Sequence, residues 1–346
     1  MKIEKIKVLI IDDSLLFRGI LRKELSDDEN IEVVGTAIDP IEALDKIEKL
    51  KPDILTLDVE LPKMNGLVFL KKLMAEKPMK VVLVSSMNIS VFDALQSGAV
   101  DFVKKPDMSL KNDLAIFFTE LKTKIKIASI AKLKTNNIIK KTETPVLATQ
   151  KLELFSTKKI IAIGASTGGT EATLEVLKTL PKETPGILVT QHMPAGFTKM
   201  YADRLNKICN MEVREAKNGD RVETGTVLIA PGDSHMKLLK DEKGYFVTCR
   251  PGEKVSGHCP SVDVLFNSVA ETAGKNAVGI ILTGMGKDGA QGLLNMKKAG
   301  AYTIGQDKES CIVYGMPMVA FNIGAVMVQA AIENISNLLI KYLNKQ

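Results

Sequence analysis

A chain of 346 residues is long enough for two ordinary domains, each with its own apolar core. Hydrophobic residues at 45% and charged residues at 25% give the balance of a soluble globular protein and exclude a disordered or fibrous one. The net charge of +6 does not mark a nucleic-acid footprint, because lysine is spread along the chain and thickest between Lys111 and Lys159 with no reading motif.

From the start, short apolar runs alternate with helical patterns. Met1 to Asp12 is a charged stretch followed by an apolar run too short for a signal-peptide core. No run further on approaches the ~20 apolar residues of a membrane span. A cytoplasmic protein without membrane insertion is expected. Lys7–Ile11, Val33–Thr36, Ile54–Leu57, Val81–Val84 and Phe102–Val103 read as buried strands. Between them Leu15–Leu25, Pro40–Leu50, Gly66–Met74 and Val91–Gln96 have helical spacing, and a long helix over about Leu110–Leu133 closes the unit. Repeated β-α units of this kind predict an open, doubly wound parallel sheet. From Lys134 to Thr157 the pattern fades into polar residues around Pro145, the composition of a linker.

The alternation then restarts. Strands are predicted at Ile160–Ile163, Ile187–Gln191, Val227–Ile229, Val278–Leu282 and Tyr302–Ile304, with helices at Glu171–Leu180 and Thr198–Asn206. A hairpin, Met236–Lys240 with Tyr245–Cys249, fits around the turn Asp241–Gly244. The fold class is therefore α/β, with two doubly wound parallel-sheet domains, the second Rossmann-like with an added hairpin. The four cysteines have no C-x-x-C spacing and read as free thiols.

In such sheets chemistry gathers outside the carboxyl ends of the strands. In the first domain those ends carry Asp12 and Asp13, then Asp58, Ser85 and Lys105. Carboxylates within ~4 Å repel by about 4 kcal/mol per pair at an effective dielectric of 20. A hard divalent cation such as Mg²⁺ removes that cost. Alternatively, Asp12 and Asp13 simply cap the following helix.

In the second domain the first strand runs into Gly164-Ala165-Ser166-Thr167-Gly168-Gly169. This satisfies G-x-S-x-G, in which glycines permit the sharp turn that exposes a serine. The following helix points its amides at the same place, where a developing oxyanion could be held, and the Met285 amide and loop amides near Thr167 are candidate donors. The same residues can also be read as a phosphate-cradling turn. The next strand ends in Gln191-His192, beside Ser166 if the two strands are neighbours. A later strand ends in Thr283-Gly284-Met285-Gly286-Lys287-Asp288-Gly289, where Asp288 either orients His192 or caps a helix. His235 and His258 remain possible pocket residues.

Ile11-Asp12-Asp13-Ser14, Leu57-Asp58-Val59-Glu60-Leu61-Pro62 with Asn65-Gly66, and Lys104-Lys105-Pro106 resemble the response-regulator receiver domain. That resemblance implies that Asp58 is the phosphoacceptor and that Asp12 and Asp13 hold Mg²⁺ with it. It further implies that Ser85 senses the phosphoryl group, Lys105 pairs with it and Phe102 reorients. The Met87–Ser97 segment is shorter than the resemblance leads one to expect. The second domain resembles the catalytic domain of the chemotaxis protein-glutamate methylesterases through Ile163-Gly164-Ala165-Ser166-Thr167-Gly168-Gly169-Thr170, Gln191-His192-Met193-Pro194, Pro260-Ser261-Val262-Asp263 and Leu282-Thr283-Gly284-Met285-Gly286-Lys287-Asp288-Gly289. Cys259 stands where that family leads one to expect arginine. Together the resemblances imply a receiver over 1–133, a linker over 134–157 and a methylesterase domain over 158–346. They imply the triad Ser166, His192 and Asp288, with no cofactor for the ester step. The implied substrates are methylated glutamates, and glutamines, of chemoreceptors, and the implied phosphodonor is a chemotaxis histidine kinase.

Overall fold

The computed structural model describes residues 4–61, 65–86, 90–133 and 159–345. The expected linker over 134–157 lies outside the described residues, as do Pro62 of the acidic motif and the start of the Met87–Ser97 segment. The chain divides into two compact units, Met1–Asn137 and Ile138–Gln346.

The first unit runs β1 (Ile6–Ile11), α1 (Leu15–Ser26), β2 (Ile31–Ala37), α2 (Pro40–Leu50), β3 (Ile54–Asp58), α3 (Gly66–Glu76), β4 (Lys80–Ser85), α4 (Ser90–Gln96), β5 (Asp101–Lys104) and α5 (Lys111–Ile130). Its strands pair in parallel in the order β2-β1-β3-β4-β5. Parallel strands need crossover helices, which cover both faces, and this is why Val8–Ile11, Ile54–Leu57 and Val81–Val84 are buried on every side chain. Helix α2 shows how locally the boundaries are encoded. The Asp39 side chain accepts from the amides of Ile41 and Glu42, and Pro40 occupies the first turn, where its missing N–H removes no bond. Helix α4 has 7 residues, in keeping with the short segment read from the sequence. Helix α5 stops at Ile130 rather than Leu133, because Ala131 is already extended.

The second unit runs β6 (Ile160–Ala165), α6 (Gly169–Leu177), β7 (Ile187–Gln191), α7 (Phe197–Ile208), β8 (Glu212–Glu215), β9 (Thr226–Ile229), β10 (Ser234–Asp241), β11 (Gly244–Pro251), α8 (Val262–Ala273), β12 (Ala277–Ile281), α9 (Ala290–Lys298), β13 (Tyr302–Gln306), α10 (Met316–Asn322), β14 (Val328–Ala330) and α11 (Ile332–Leu343). Seven strands form a parallel sheet in the order β14-β13-β12-β6-β7-β9-β8, and β10 and β11 form the expected antiparallel hairpin. Met236, Leu238 and Val247 of the hairpin share one core with Leu265, Phe266 and Val269 of α8. The hairpin is thus seated on the helix that follows it. Helix α6 begins at Gly169, ahead of the expected Glu171, because Gly168 takes a left-handed φ of 76° that turns the chain directly from strand to helix. No helix among the described residues is long and apolar enough to cross a membrane.

In both sheets the first strand of the unit lies inside the sheet, so the chain leaves it in opposite directions. Such a switch point opens a crevice beyond the strand carboxyl ends. Those crevices are at β1/β3 and at β6/β12.

Candidate functional site

In the first unit the switch point gathers the acidic residues. One oxygen each from Asp12, Asp13 and Asp58 lies within 4.8 Å of the others, with Asp12 and Asp58 buried and Asp13 exposed. Each buried carboxylate is held on one side by its own backbone. Asp12 Oδ1 accepts from the Ser14 amide at 2.9 Å and Asp58 Oδ1 from the Glu60 amide at 3.0 Å. Their other oxygens face Lys105, whose Nζ donates to Asp58 Oδ2 at 2.6 Å and lies 2.9 Å from Asp12 Oδ2. Both contacts are at ion-pair distance, so one ammonium bridges the two buried carboxylates. Burial pushes the Asp58 carboxyl above its ordinary value, and the neighbouring Asp12 adds to this, against the pull of Lys105. Burial disfavours the Lys105 ammonium, but its two carboxylate partners prevail and raise its pKa. Three carboxylate oxygens converging beside one lysine are the hard-oxygen donor set that Mg²⁺ takes. Asp12, Asp13 and Asp58 therefore fit the expected ion. Ser85 at the end of β4 is fully buried with Oγ lacking a partner among the described residues, and Phe102 is packed inward, edge-on to Phe92 at 6.4 Å.

In the second unit β6 and β7 are in register with Ala165 opposite Gln191, so Ser166 and His192 leave adjacent strand ends. The junction is laced on both sides. The Ser166 amide donates to Thr283 O at 3.0 Å, and the His192 amide donates to Ala165 O at 3.1 Å. Gln191 Nε2 donates to Ser166 O at 2.9 Å and to His192 O at 3.2 Å, so one buried side chain ties the two turns together. Gly284 packs against the serine so closely that a Cβ there would fall 2.7 Å from Ser166 Cβ. This brings the Gly284-Met285-Gly286 loop alongside Ser166, while the Met285 side chain itself is turned to solvent. Thr167 is buried, and its carbonyl accepts from Thr283 Oγ1 at 3.0 Å.

His192 and Asp288 meet, 96 residues apart in sequence. His192 Nε2 lies 2.7 Å from Asp288 Oδ2, with both side chains almost wholly buried. Asp288 also accepts from Ser261 Oγ at 2.7 Å, the Val262 amide at 2.7 Å and the Asp263 amide at 3.0 Å. Burial works to raise its pKa, but the bonds from His192 and from the start of α8 prevail and hold it below the ordinary carboxylate value. An ionised carboxylate can only accept, so Nε2 carries a proton, and in the neutral imidazole the lone pair is then on Nδ1. Nδ1 is buried and has no hydrogen-bond partner among the described residues. Asp288 is thus no cap of its own helix, α9. It is bound instead at the N-terminus of α8.

The two histidines left as possible pocket residues have different settings. His235 is buried with both ring nitrogens engaged, Nε2 with Glu253 O at 2.8 Å and Nδ1 accepting from the Ser261 amide at 3.2 Å. It supports the turn that carries Ser261. His258 lies flat against His192, with ring centroids 3.6 Å apart and planes 10° apart. Ser261, Gln191 and Thr283 were not singled out by their own chemistry. Only their positions beside a candidate residue signalled them.

The CheB methylesterase family matches residues 161–339, and the response regulator receiver domain matches residues 8–114. The chain is 55% identical over 345 residues, 100% of both chains, to protein-glutamate methylesterase/protein-glutamine glutaminase 2 of Syntrophomonas wolfei. It is 47% identical over 349 residues, 99% of each chain, to protein-glutamate methylesterase/protein-glutamine glutaminase of Syntrophotalea carbinolica. Among solved structures, the Thermotoga maritima CheB methylesterase catalytic domain is similar at 38% identity with a TM-score of 0.52, covering 53% of this chain and 98% of that one.

Proposed function

The chain belongs to the CheB methylesterase family, with a response regulator receiver domain ahead of the methylesterase domain, and on that premise we propose that it hydrolyses glutamate methyl esters of chemoreceptors, and deamidates glutamines there, under control of its own phosphorylation. We take 1–133 as the receiver, 134–157 as the linker and 158–346 as the catalytic domain. The observation that carries the reading is the His192–Asp288 bond, which leaves Nδ1 as a buried free base on the strand end next to Ser166.

In this reading Ser166 Oγ attacks the ester carbonyl while His192 Nδ1 takes the hydroxyl proton. Charge on the carbonyl oxygen is met by amides of the loops that flank Ser166, those of Met285 and of the turn at Thr167. The new imidazolium is stabilised by Asp288, whose four donors keep it ionised and in place. Nδ1–H then protonates the departing methoxide, and methanol leaves an acyl-serine. A water, deprotonated by the same nitrogen, releases the glutamate carboxylate and restores Ser166. With a glutamine substrate the leaving group is ammonia.

The receiver supplies control. Asp58 Oδ2 is the acceptor for a phosphoryl group from a chemotaxis histidine kinase. Asp12, Asp13 and Asp58 would hold Mg²⁺, which neutralises charge on the incoming group. Lys105 follows the phosphoryl oxygens, Ser85 Oγ gains the partner it lacks, and Phe102 is the side chain whose rearrangement reports the change. The test is methanol release from methyl-labelled receptor membranes, with and without Mg²⁺ and a small phosphodonor. Wild type should release methanol, faster with the phosphodonor. Ser166→Ala should release none, and Asp58→Asn should keep the basal rate but lose the stimulation. Release by Ser166→Ala at the wild-type rate would remove the serine from the mechanism.

A further inference from the structure

The bond to Asp288 holds one nitrogen of His192, yet a single hydrogen bond does not hold a ring plane. The torsion between Cβ and an aromatic ring is broad, so the imidazole can tilt about its bond to Cβ while Nε2 keeps its partner. Tilting moves Nδ1, the atom that must receive the serine proton. Something must define the plane.

His258 lies parallel to His192 within 10°, with ring centroids 3.6 Å apart. It is presented by a tight turn. The Val255 and His258 amides each donate to the other residue's carbonyl at 3.0 Å, and the two residues between them, Ser256 and Gly257, take left-handed φ values of 53° and 87°. The chain then passes through Pro260 to Ser261, the N-cap of α8, whose hydroxyl binds Asp288. One short segment, His258 to Asp263, therefore supplies both the ring against which His192 lies and three of the donors that hold its carboxylate. We propose that His258 is a positioning residue for the esterase reaction. Its ring face fixes the plane of His192 and thereby the aim of Nδ1 at Ser166.

This inference rests on the esterase reading, and its test includes a readout that does not. The face of the ring is what matters, so His258→Phe, which keeps a flat ring and removes both nitrogens, should retain kcat within about threefold. His258→Leu, which fills space without a flat face, and His258→Ala should lower kcat by about tenfold to a hundredfold with KM unchanged, the range expected when a reacting atom is misplaced by a fraction of an ångström to an ångström. In nitrogen-labelled full-length protein, the His192 ring should give sharp signals in wild type and His258→Phe. The signals should broaden in His258→Leu, whether or not the substrate assignment is right. Full activity in His258→Ala would overturn the proposal, as would a defect in His258→Phe equal to that in His258→Leu. A rise in KM with kcat intact would make His258 a substrate contact instead, and sharp His192 signals in His258→Leu would show that the plane is set elsewhere.

Discussion

Asp58 and Asp288 occupy equivalent places in two parallel sheets and are prepared for opposite tasks. Asp58 ends its inner strand and Asp288 lies in the loop after one, each at a switch point, and both are buried. Asp288 has four donors on its two oxygens, and its pKa lies below the ordinary value. Asp58 has one backbone amide and one lysine, faces a second carboxylate, and its pKa lies above it. In the roles proposed for them, the carboxylate that orients a histidine is saturated with hydrogen bonds and stays charged, and the one that accepts a phosphoryl group keeps an oxygen held only by a side chain that can move away. Burial raises both, and the number of fixed donors decides which way the balance falls.

The comparison breaks most sharply at Asp288. Asp288→Asn swaps one acceptor oxygen for a donor amide facing His192 Nε2 or the α8 donors, and methanol release should fall by a factor on the order of 10⁴ by analogy with protease triads. Turnover within tenfold of wild type would show that saturation of this carboxylate is structural only. A smaller effect is expected from the ion at the acidic cluster. Mg²⁺ at a hundred times its Kd should stabilise the receiver by about 2.7 kcal/mol, read as slower amide exchange in β1 and β3. Asp12→Asn should lose most of that protection, and equal protection in the variant would place the ion elsewhere.

The smallest effect is the pH dependence, which has opposite signs in the two units. A folded pKa below 3.8 means that the contribution of Asp288 is present above 3.8 and is lost as the pH falls through the lowered value. A folded pKa above 3.8 means that folded Asp58 binds its proton before the unfolded chain does, so its ionisation weakens the receiver as the pH rises from 3.8 through the raised value. Without Mg²⁺, Asp58→Asn should therefore protect β3 amides from exchange at pH 7, with the advantage shrinking toward pH 4. An advantage independent of pH would mean that Asp58 is not strained by its ionisation.

Much of this was legible because parallel sheets write their strands as unbroken apolar runs and place their chemistry just after them. Asp12, Asp58, Ser166 and His192 are each within three residues of such a run. Strand β8, Glu-Val-Arg-Glu, was not legible. It lies at a sheet edge with only Val213 fully buried, so no apolar run marks it. Helix α8 was read only as a motif, although Ser261 caps it and its first turn holds Asp288. The stack of His258 on His192 is 66 residues apart in sequence and depends on how the hairpin returns the chain to the sheet. Local pattern carries no record of that. The pocket role left open for His235 gave way to a support role because both its nitrogens are taken by backbone.

The central claim is that Ser166 is a nucleophile served by a fixed histidine and carboxylate. Its most direct test is to mix the full chain with methylated receptor, quench in acid within the first turnover, and map covalent adducts by mass spectrometry. The account predicts an ester linking Ser166 Oγ to a receptor glutamyl carbonyl, formed as methanol is released and absent in Ser166→Ala. Methanol released in that first turnover with the Ser166 peptide unmodified would contradict it.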